Sequence, residues 1–395
     1  MDFDFDRPLG LRNTHCQKWD NLSVMDDGGG AGDPAGVIPM WVADMDFAAP
    51  PPVRAALQAE LDRGYLGYFG IPGPVADAVS GWMDRQHGHA VDPAHVRFTV
   101  GVIGGLKIAI EAFSARGDGV ILFPPVYHAF YRVIAAHGRR AVESELVLED
   151  GRYRMDLETL EASLDGSEKI VILCSPHNPG GRIWEPGELR ALADFCARHD
   201  LILVSDEIHM DLCFPGTKFH STCVAAPEAR ARLVTLSAAS KGFNLAGAET
   251  AFALIPDDTL RARFDDTARW AGASVNRFGM IALKAAFTEC ADWSAAVRAY
   301  LAENFAIWRD RIGALPGISV MDMPATYLTW VDFAGTGMAF GELRTRIARD
   351  ARIAASPGTQ FGSGGDTWNR FNIAMPRPLL LDAIERMETA FGDLQ

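Results

Sequence analysis

A chain of 395 residues, 48% of them hydrophobic and 22% charged, has enough apolar side chains for a sizeable core, which argues against a disordered protein. Its length predicts two or three domains, or one large α/β domain with a satellite. Because the chain has 51 acidic and 37 basic residues, its formal net charge is −14, which disfavours binding to nucleic acids or to anionic membranes.

The sequence predicts a soluble, cytoplasmic protein. The N-terminus, MDFDFDRPLG, is acidic and lacks the basic start and the apolar stretch of a signal peptide. Apolar runs such as Ile170–Cys174 are far too short to span a bilayer. The six cysteines are scattered without a C-x-x-C pair, which favours reduced thiols over a disulfide framework or a zinc site.

The first elements can be assigned from glycine, proline and apolar spacing. Asp26–Gly36 is rich in glycine and predicts a turn or mobile loop. Residues 50–64 start with prolines, space their apolar residues four apart and end in glycine, so they predict a helix. Val96–Gly101 then predicts a short strand, and Gly105–Gly117 predicts an amphipathic helix.

Further apolar runs predict strands that end in loops of small or polar residues. These runs begin at Val120, Lys169, Leu201, Leu233 and Thr250. Continuously apolar strands that alternate with helices indicate a parallel sheet covered on both faces. In such sheets the ligand site lies beyond the carboxyl ends of the strands.

The pattern changes after about Thr288. A long helical stretch, Trp293–Arg311, precedes mixed strands and helices up to the C-terminus. We therefore expect a large α/β domain over residues 51–288. A smaller α+β domain would be formed by residues 1–50 together with residues 289–395.

Four of the predicted strand ends carry a reactive or aromatic side chain. They are Tyr127, Asn178 in a proline-flanked turn, Asp206, and Lys241, one of only six lysines. Taken singly, each of these residues has an ordinary structural explanation. A carboxylate such as Asp206 is often a helix cap, an amide such as Asn178 is often part of a turn, and a lysine usually lies on the solvated surface. Gly101–Gly105 fits either a tight strand–helix turn or a phosphate site at a helix N-terminus.

Together these groups match the requirements of pyridoxal 5′-phosphate (PLP). PLP needs a lysine for its Schiff base and a carboxylate opposite its ring nitrogen. It also profits from a donor near its phenolate oxygen, an aromatic plane against its ring and backbone amides at its phosphate. The groups that meet these needs are, in that order, Lys241, Asp206, Asn178, Tyr127 and Gly101–Gly105.

Several sequence blocks also carry a family resemblance. They are KWD (Lys18–Asp20), PMWVADMDF (Pro39–Phe47), GYLGYF (Gly64–Phe69), SPHNPGGRIW (Ser175–Trp184), SDEIHMDL (Ser205–Leu212), SKGFNLAG (Ser240–Gly247) and RFNIAMPR (Arg370–Arg377). Over most of its length the chain resembles the fold-type I PLP-dependent enzymes, the aspartate aminotransferase superfamily. Within it, these blocks are similar to the MalY/PatB type of cystathionine β-lyase, a C–S lyase.

The resemblance implies an α/β fold with a mostly parallel sheet covered by helices and a role for each matched residue. Lys241 would hold the cofactor, Asp206 would pair with its pyridine nitrogen, Asn178 would bond its phenolate oxygen and Tyr127 would stack on its ring. The phosphate would be held by Val102, Ile103 and Ser240, and by Tyr68 of the neighbouring subunit in a homodimer. Arg370 would bind the substrate α-carboxylate, and Ala43 would line the substrate pocket through its backbone.

Two positions, His209 and Glu249, leave alternatives open, and a third group of residues resembles a metal site. His209 stands where many aminotransferases have a tyrosine, so it is either a cofactor contact or a core histidine. Glu249 stands where many have a phosphate-binding arginine, so it either points away or leaves the phosphate to backbone, hydroxyls and Tyr68. His209, Asp211 and Cys213 have metal-ligand types on one side of a possible strand, but no second cluster completes a site, so no metal is expected.

The first functional hypothesis is therefore a PLP-dependent carbon–sulfur β-lyase. It would cleave cystathionine, cysteine or an S-substituted cysteine to pyruvate, ammonia and a thiol. The alternatives are an aminotransferase on the same scaffold and a catalytically idle ligand sensor with the same fold.

Overall fold

The computed structural model describes residues 3–22, 36–272 and 274–394, so most of the loop predicted at Asp26–Gly36 lies outside the described residues. The helices are α1 (Gln17–Asp20), α2 (Pro51–Arg63), α3 (Gly73–His87), α4 (Gly101–Phe113), α5 (Ala129–Ala136), α6 (Leu157–Ser163), α7 (Pro186–Arg198), α8 (Thr222–Ala225), α9 (Ala239–Gly242), α10 (Asp258–Trp270), α11 (Arg277–Glu289), α12 (Ala291–Ile312), α13 (Phe340–Thr345) and α14 (Arg377–Ala390). The strands are β1 (Ile38–Pro39), β2 (Val96–Thr99), β3 (Gly119–Leu122), β4 (Arg140–Glu143), β5 (Val147–Glu149), β6 (Arg152–Arg154), β7 (Glu168–Cys174), β8 (Ile202–Asp206), β9 (Leu233–Ser237), β10 (Ala251–Leu254), β11 (Ser319–Val320), β12 (Leu328–Asp332), β13 (Ile353–Ala354), β14 (Ser356–Pro357) and β15 (Trp368–Asn372).

A seven-stranded sheet in the order β2-β10-β9-β8-β7-β3-β4 forms the centre of the molecule. The pairs β9–β8, β8–β7, β7–β3 and β3–β4 are parallel. β10 runs antiparallel to both of its neighbours, so β2 points the same way as β9. The mostly parallel α/β sheet predicted from the sequence is confirmed, but the parallel direction expected for the strand near Thr250 is wrong.

Burial explains why the apolar runs became strands. The side chains of β3 are buried along their whole length, and so is nearly all of β7. Separate clusters of buried apolar side chains cover the two faces of the sheet. A strand that is covered on both faces has no solvent-facing positions, so it is continuously apolar.

Two helix boundaries show how backbone requirements act locally. The predicted helix at residues 50–64 is confirmed as α2, which ends at Gly64 with φ +73°, a left-handed conformation that glycine adopts without strain. α4 begins at Gly101, earlier than predicted, and ends at Phe113. A β-carbon on Gly105 would lie 2.8 Å from a methyl carbon of Leu236, so this glycine lets α4 pack closely on the sheet.

A second, smaller sheet follows the long helix α12. Its four strands have the order β11-β12-β15-β14 and are antiparallel throughout. Near the N-terminus, β1 pairs in parallel with β13, which joins the start of the chain to this region. The long predicted helix Trp293–Arg311 is confirmed within α12.

Trp41–Phe47, which we call the central segment, connects the two sheets without forming a helix or strand. The side-chain amide of Asn372 donates to the carbonyl oxygens of Val42 and Asp44, at 2.6 Å each. Asn244 accepts from the Met45 N–H at 3.1 Å and donates to the carbonyls of Met45 and Phe47. An irregular buried segment needs such partners because its peptide groups form no hydrogen-bond ladder with a neighbouring strand.

A buried ion pair fixes the same segment from the N-terminal side. Lys18 Nζ lies 2.9 Å from Asp46 Oδ2 and also donates to the Asp44 carbonyl at 3.1 Å. Trp19 donates to the other carboxylate oxygen of Asp46 at 2.8 Å. These contacts join the KWD block to the central segment.

The six cysteines are free thiols, and all but Cys16 are buried. Within the described residues, no helix combines the length and apolar character that crossing a membrane requires.

Replacing Asn244 with alanine should lower the free energy of unfolding by about 2–4 kcal/mol, because three hydrogen bonds to the central segment are lost. Asn13→Ala is the matched control, since Asn13 also has a left-handed backbone (φ 60°, against 56° for Asn244) but is exposed. Urea unfolding followed by fluorescence measures both changes. Equal losses in the two variants would show that backbone conformation, and not the amide contacts, causes the effect.

Candidate active site

Three chemically different side chains meet at the carboxyl edge of the large sheet. Asn178 follows β7, Asp206 ends β8 and Lys241 lies in α9 directly after β9. Because these strands are adjacent and parallel, their ends lie side by side. A cavity of about 740 Å³ opens there, and nine of the residues predicted from the sequence line it: Ala43, Val102, Ile103, Tyr127, Asn178, Asp206, His209, Ser240 and Lys241.

Lys241 points its amine at the central segment. Its Nζ donates to the Ala43 carbonyl oxygen at 2.6 Å. Burial lowers the pKa of Lys241, against a smaller opposing effect of the nearby Asp44 charge. A larger fraction of neutral amine is therefore available than on an exposed lysine, and a neutral amine can act as a nucleophile or a base.

The Asp206 carboxylate is buried and accepts few hydrogen bonds from the described residues. One of its oxygens accepts a hydrogen bond from the Ile208 N–H at 3.1 Å. Burial raises the pKa of Asp206 to about 7. A cation placed against this carboxylate would favour its charged form, so the site suits a protonated ring nitrogen.

Arg370 lies in a strand of the small sheet and contacts Asn178, a residue of the cavity wall. Its Nη1 donates to Asn178 Oδ1 at 3.0 Å, and its Nη2 donates to the Trp41 carbonyl at 2.8 Å. The guanidinium lies over the Phe361 ring, 4.9 Å from the centroid, and burial lowers the pKa of Arg370 to about 10. It keeps its charge at neutral pH, and its Nε is buried without a partner among the described residues. A carboxylate ligand would supply that missing acceptor.

The N-terminus of α4 provides a site for an anion. Val102 and Ile103 lie in its first turn, where backbone N–H groups have no acceptor within the helix. The Gly101 N–H is already used, because it donates to the Glu249 carbonyl at 3.2 Å. Glu249 borders the cavity with φ +44°, and its carbonyl, not its charge, holds the start of α4.

Tyr127 and His209 form two other parts of the cavity wall. Burial raises the pKa of the Tyr127 hydroxyl and lowers that of His209 to about 3, so both are neutral at physiological pH. His209 Nδ1 is buried and has no hydrogen-bond partner in the described part of the chain. His209 is almost fully buried and lines the cavity, while its contact with a cofactor remains a prediction.

Tyr68 does not join these residues within one chain. Its side chain is 94% exposed, in the segment between α2 and α3. The role implied for it requires a second copy of the chain.

The spacing of His209, Asp211 and Cys213 does not produce the predicted arrangement. The segment forms a tight helical turn, Met210–Leu212, so these residues do not share one side of a strand. Asp211 Oδ1 instead accepts from Trp82 at 2.9 Å and lies 2.8 Å from His87 Nε2. Among residues 3–22, 36–272 and 274–394, no group of three or more His, Cys, Asp or Glu residues is placed to bind a metal.

Two side chains near the cavity were not identified from the sequence. Tyr327 Oη donates to the Ala43 carbonyl at 3.2 Å, beside Lys241. The Cys174 thiol accepts from the Asn178 N–H at 3.4 Å and supports the turn that carries the amide. Neither residue belongs to a motif with a chemical signature, and their roles depend on contacts between distant parts of the chain.

The cavity fits PLP. It places an amine, a buried carboxylate and a helix N-terminus around one space of sufficient volume. Tyr127 supplies an aromatic wall and Asn178 a side-chain amide. These are the groups that the cofactor's aldehyde, ring nitrogen, phosphate, ring face and phenolate oxygen require.

The chain is similar to known proteins along nearly its whole length. Residues 36–387 match the family model described as aminotransferase class I and II. Cystathionine beta-lyase PatB of Bacillus subtilis (strain 168) is 35% identical over 392 residues, which cover 98% of this chain and 100% of PatB. Protein MalY of Escherichia coli (strain K12) is 30% identical, with 96% of each chain covered. The crystal structure of cystalysin from Treponema denticola, which contains PLP, matches with a TM-score of 0.93, 32% identity and full coverage of both chains.

Asp206→Asn should make the cofactor-free protein more stable at pH 8 by roughly 1–3 kcal/mol. The pKa of Asp206 is raised in the folded state, so the folded protein binds more protons than the unfolded chain between about pH 4 and pH 7. Stability from this group is therefore lost as pH rises through that window, and asparagine removes the loss. Urea unfolding of the variant and of the unmodified protein at pH 5 and pH 8 measures this difference in the free energy of unfolding.

The control for this experiment is Asp77→Asn, which changes an exposed carboxylate. If Asp206→Asn and the unmodified protein show the same pH dependence, Asp206 is not a buried carboxyl group with a raised pKa.

Proposed function

The chain belongs to the aminotransferase class I and II family, and from that premise we propose that it is a PLP-dependent carbon–sulfur β-lyase. It would cleave cystathionine, cysteine or an S-substituted cysteine to pyruvate, ammonia and a thiol. The observation that carries the proposal is that the Lys241 amine and the Asp206 carboxylate line one cavity, while the Arg370 guanidinium binds Asn178 in the wall of that cavity. The similarity to PatB, a cystathionine beta-lyase, and to PLP-containing cystalysin supports it.

The residues that would hold the cofactor follow from the cavity walls. Lys241 would bind its aldehyde carbon, Asp206 its ring nitrogen, and Asn178 its phenolate oxygen. Tyr127 would stack on the ring, and His209 would contact it. The phosphate would lie at the N-terminus of α4, held by the backbone of Val102 and Ile103 and by Ser240.

Bound PLP would supply an electron sink next to the substrate's Cα. Asp206 would hold the proton on the ring nitrogen that this sink depends on. Arg370 would bind the substrate α-carboxylate with its planar fork, and Ala43 would border the substrate through its backbone. The neutral Lys241 amine would then take the proton from Cα.

The leaving group decides which reaction follows. A thiolate on Cβ leaves readily because its conjugate acid has a pKa of about 8.5. If Cβ carries no leaving group, the same residues would support transamination. An aminotransferase is therefore the second candidate. The family description favours that second candidate, whereas the name of PatB favours the lyase.

Incubation of the PLP-loaded protein with L-cystathionine should release pyruvate and thiol in equal amounts without any added keto acid. Lys241→Ala should abolish this turnover and keep the fold, because the base is lost. Lys169→Ala is the matched control, since it removes an exposed lysine. Strict dependence of product formation on a keto acid would instead identify an aminotransferase.

We also propose a homodimer in which Tyr68 serves the neighbouring chain's cavity. The segment between α2 and α3 exposes Tyr65, Leu66, Tyr68 and Ile71, an apolar surface that a monomer would leave in water. Arg277 supports its conformation by donating to the Tyr68 carbonyl at 3.2 Å and lying over the Tyr65 ring at 4.9 Å.

Mixing the Lys241→Ala and Tyr68→Ala variants should therefore restore activity. Each mixed dimer would contain one cavity with both Lys241 and Tyr68, so random exchange of chains should yield about a quarter of the original activity. The control is a mixture of Lys241→Ala with Asp206→Ala, whose lesions lie in the same chain's cavity and cannot complement. Absence of recovery after subunit exchange, verified by mass spectrometry, would contradict a shared site.

The domain division and the cellular location are further proposals. The division into residues 51–288, and residues 1–50 with 289–395, is supported by the separate sheets and by the pairing of β1 with β13. A cytoplasmic location is supported by the six free thiols, which suit a reducing compartment.

A further inference from the structure

The Ala43 carbonyl oxygen has two side-chain donors. Lys241 Nζ lies at 2.6 Å and Tyr327 Oη at 3.2 Å. The carbonyl itself is held in direction, because Asn372 binds the carbonyls on either side of it, those of Val42 and Asp44. Lys241 therefore donates to a rigid acceptor that Tyr327 also contacts.

Tyr327 is built into this position. It is 1% exposed, and the backbone N–H of Ile373 donates to its carbonyl at 2.9 Å. The preceding residue, Thr326, has φ +75°, a left-handed conformation that is costly for a β-branched residue. Hydrogen bonds from the Thr326 N–H to Leu212 and from the Leu328 N–H to Thr326 Oγ1 maintain it.

The chemical environment keeps Tyr327 a hydrogen-bond donor. Burial raises the pKa of its hydroxyl well above the ordinary value, so the phenol stays protonated. The His209 ring meets the Tyr327 ring edge-on, with centroids 6.5 Å apart, which limits the tyrosine's rotation. Backbone strain next to such a fixed donor is typical of a functional site.

We propose that Tyr327 is a positioning residue that, together with the Ala43 carbonyl, orients the Lys241 amine toward the cofactor aldehyde and the substrate Cα. The proposal rests on the proposed function insofar as it assumes PLP chemistry at Lys241, but it does not depend on which group leaves. When Lys241 takes the Cα proton, the C–H bond breaks and an N–H bond forms. The electron pair is accepted by PLP, and the Ala43 carbonyl accepts a hydrogen bond from the resulting ammonium.

Tyr327→Phe tests this role because it removes one hydroxyl and keeps the buried ring. The matched control is Tyr153→Phe, another buried tyrosine, whose hydroxyl accepts from Trp330 Nε1 at 3.0 Å. The first readout is the rate at which cofactor-free protein binds added PLP covalently, followed by borohydride trapping and mass spectrometry. We expect roughly a fivefold to tenfold slower rate in Tyr327→Phe, the effect of one hydrogen bond, and an unchanged rate in Tyr153→Phe.

The second readout separates orientation of the amine from substrate binding. In Tyr327→Phe, kcat should fall with KM unchanged, and deuterium at Cα should slow turnover more than in the unmodified protein, because proton removal becomes slower. An attachment rate within twofold of the original, or an equal loss in Tyr153→Phe, would overturn the proposal. Slower attachment in a protein that does not cleave C–S bonds would contradict the proposed function alone.

A second variant covers the case in which Tyr327→Phe does not fold, as judged by near-ultraviolet circular dichroism. Incorporation of 3-fluorotyrosine at position 327 keeps the ring and the donor. It should preserve the original attachment rate, and a tenfold loss with that variant would also contradict the proposed role.

Discussion

The candidate site depends on how the peptide groups of the central segment, Trp41–Phe47, are bound. Six of its carbonyl oxygens, from Trp41 to Met45 and at Phe47, accept hydrogen bonds from side chains that come from different parts of the chain. The donors are Arg370 and Ser356 at Trp41, Asn372 at Val42 and Asp44, Lys241 and Tyr327 at Ala43, Lys18 at Asp44, and Asn244 at Met45 and Phe47. Since a buried carbonyl without a partner is costly, this segment both requires these side chains and determines where they lie.

This arrangement couples the two sheets to one another. Lys241 follows a strand of the large sheet, and Arg370 lies in a strand of the small one. Both donate to the central segment, at positions two residues apart. The distance between the group proposed to bind the cofactor and the group proposed to bind the substrate carboxylate is thereby set by the geometry of one short peptide. Catalysis that relies on orientation benefits from such rigidity.

Burial determines the electrostatics of the cavity. It raises the pKa of Asp206 and lowers the pKa values of Lys241, His209 and Arg370. The charged forms of these side chains are poorly hydrated because they are buried. An oppositely charged ligand atom therefore stabilises them more than it would stabilise an exposed group. A ligand with a cationic ring nitrogen, a phosphate and a carboxylate therefore complements this site.

Some features could be predicted because they depend on local sequence. Continuous apolar runs identified the strands, proline and glycine identified the ends of α2, and polar groups after apolar runs identified Asn178, Asp206 and Lys241 as candidates. The predicted type or direction of an element is wrong where its short sequence fits more than one kind of local structure. Gly101 was assigned to a strand but begins α4, β10 runs antiparallel, and the turn at Met210–Leu212 was expected to be extended.

By itself, the sequence determined which chemical groups are present and that they follow buried strands. The tertiary structure alone decided that Arg370 contacts Asn178, that Tyr327 shares a carbonyl with Lys241, and that Tyr68 stays outside its own chain's cavity. The physical reason is that strand order and the path of the central segment are set by hydrogen bonds between residues far apart in the chain. Such pairings leave no periodic pattern in the sequence, whereas burial and turn geometry do.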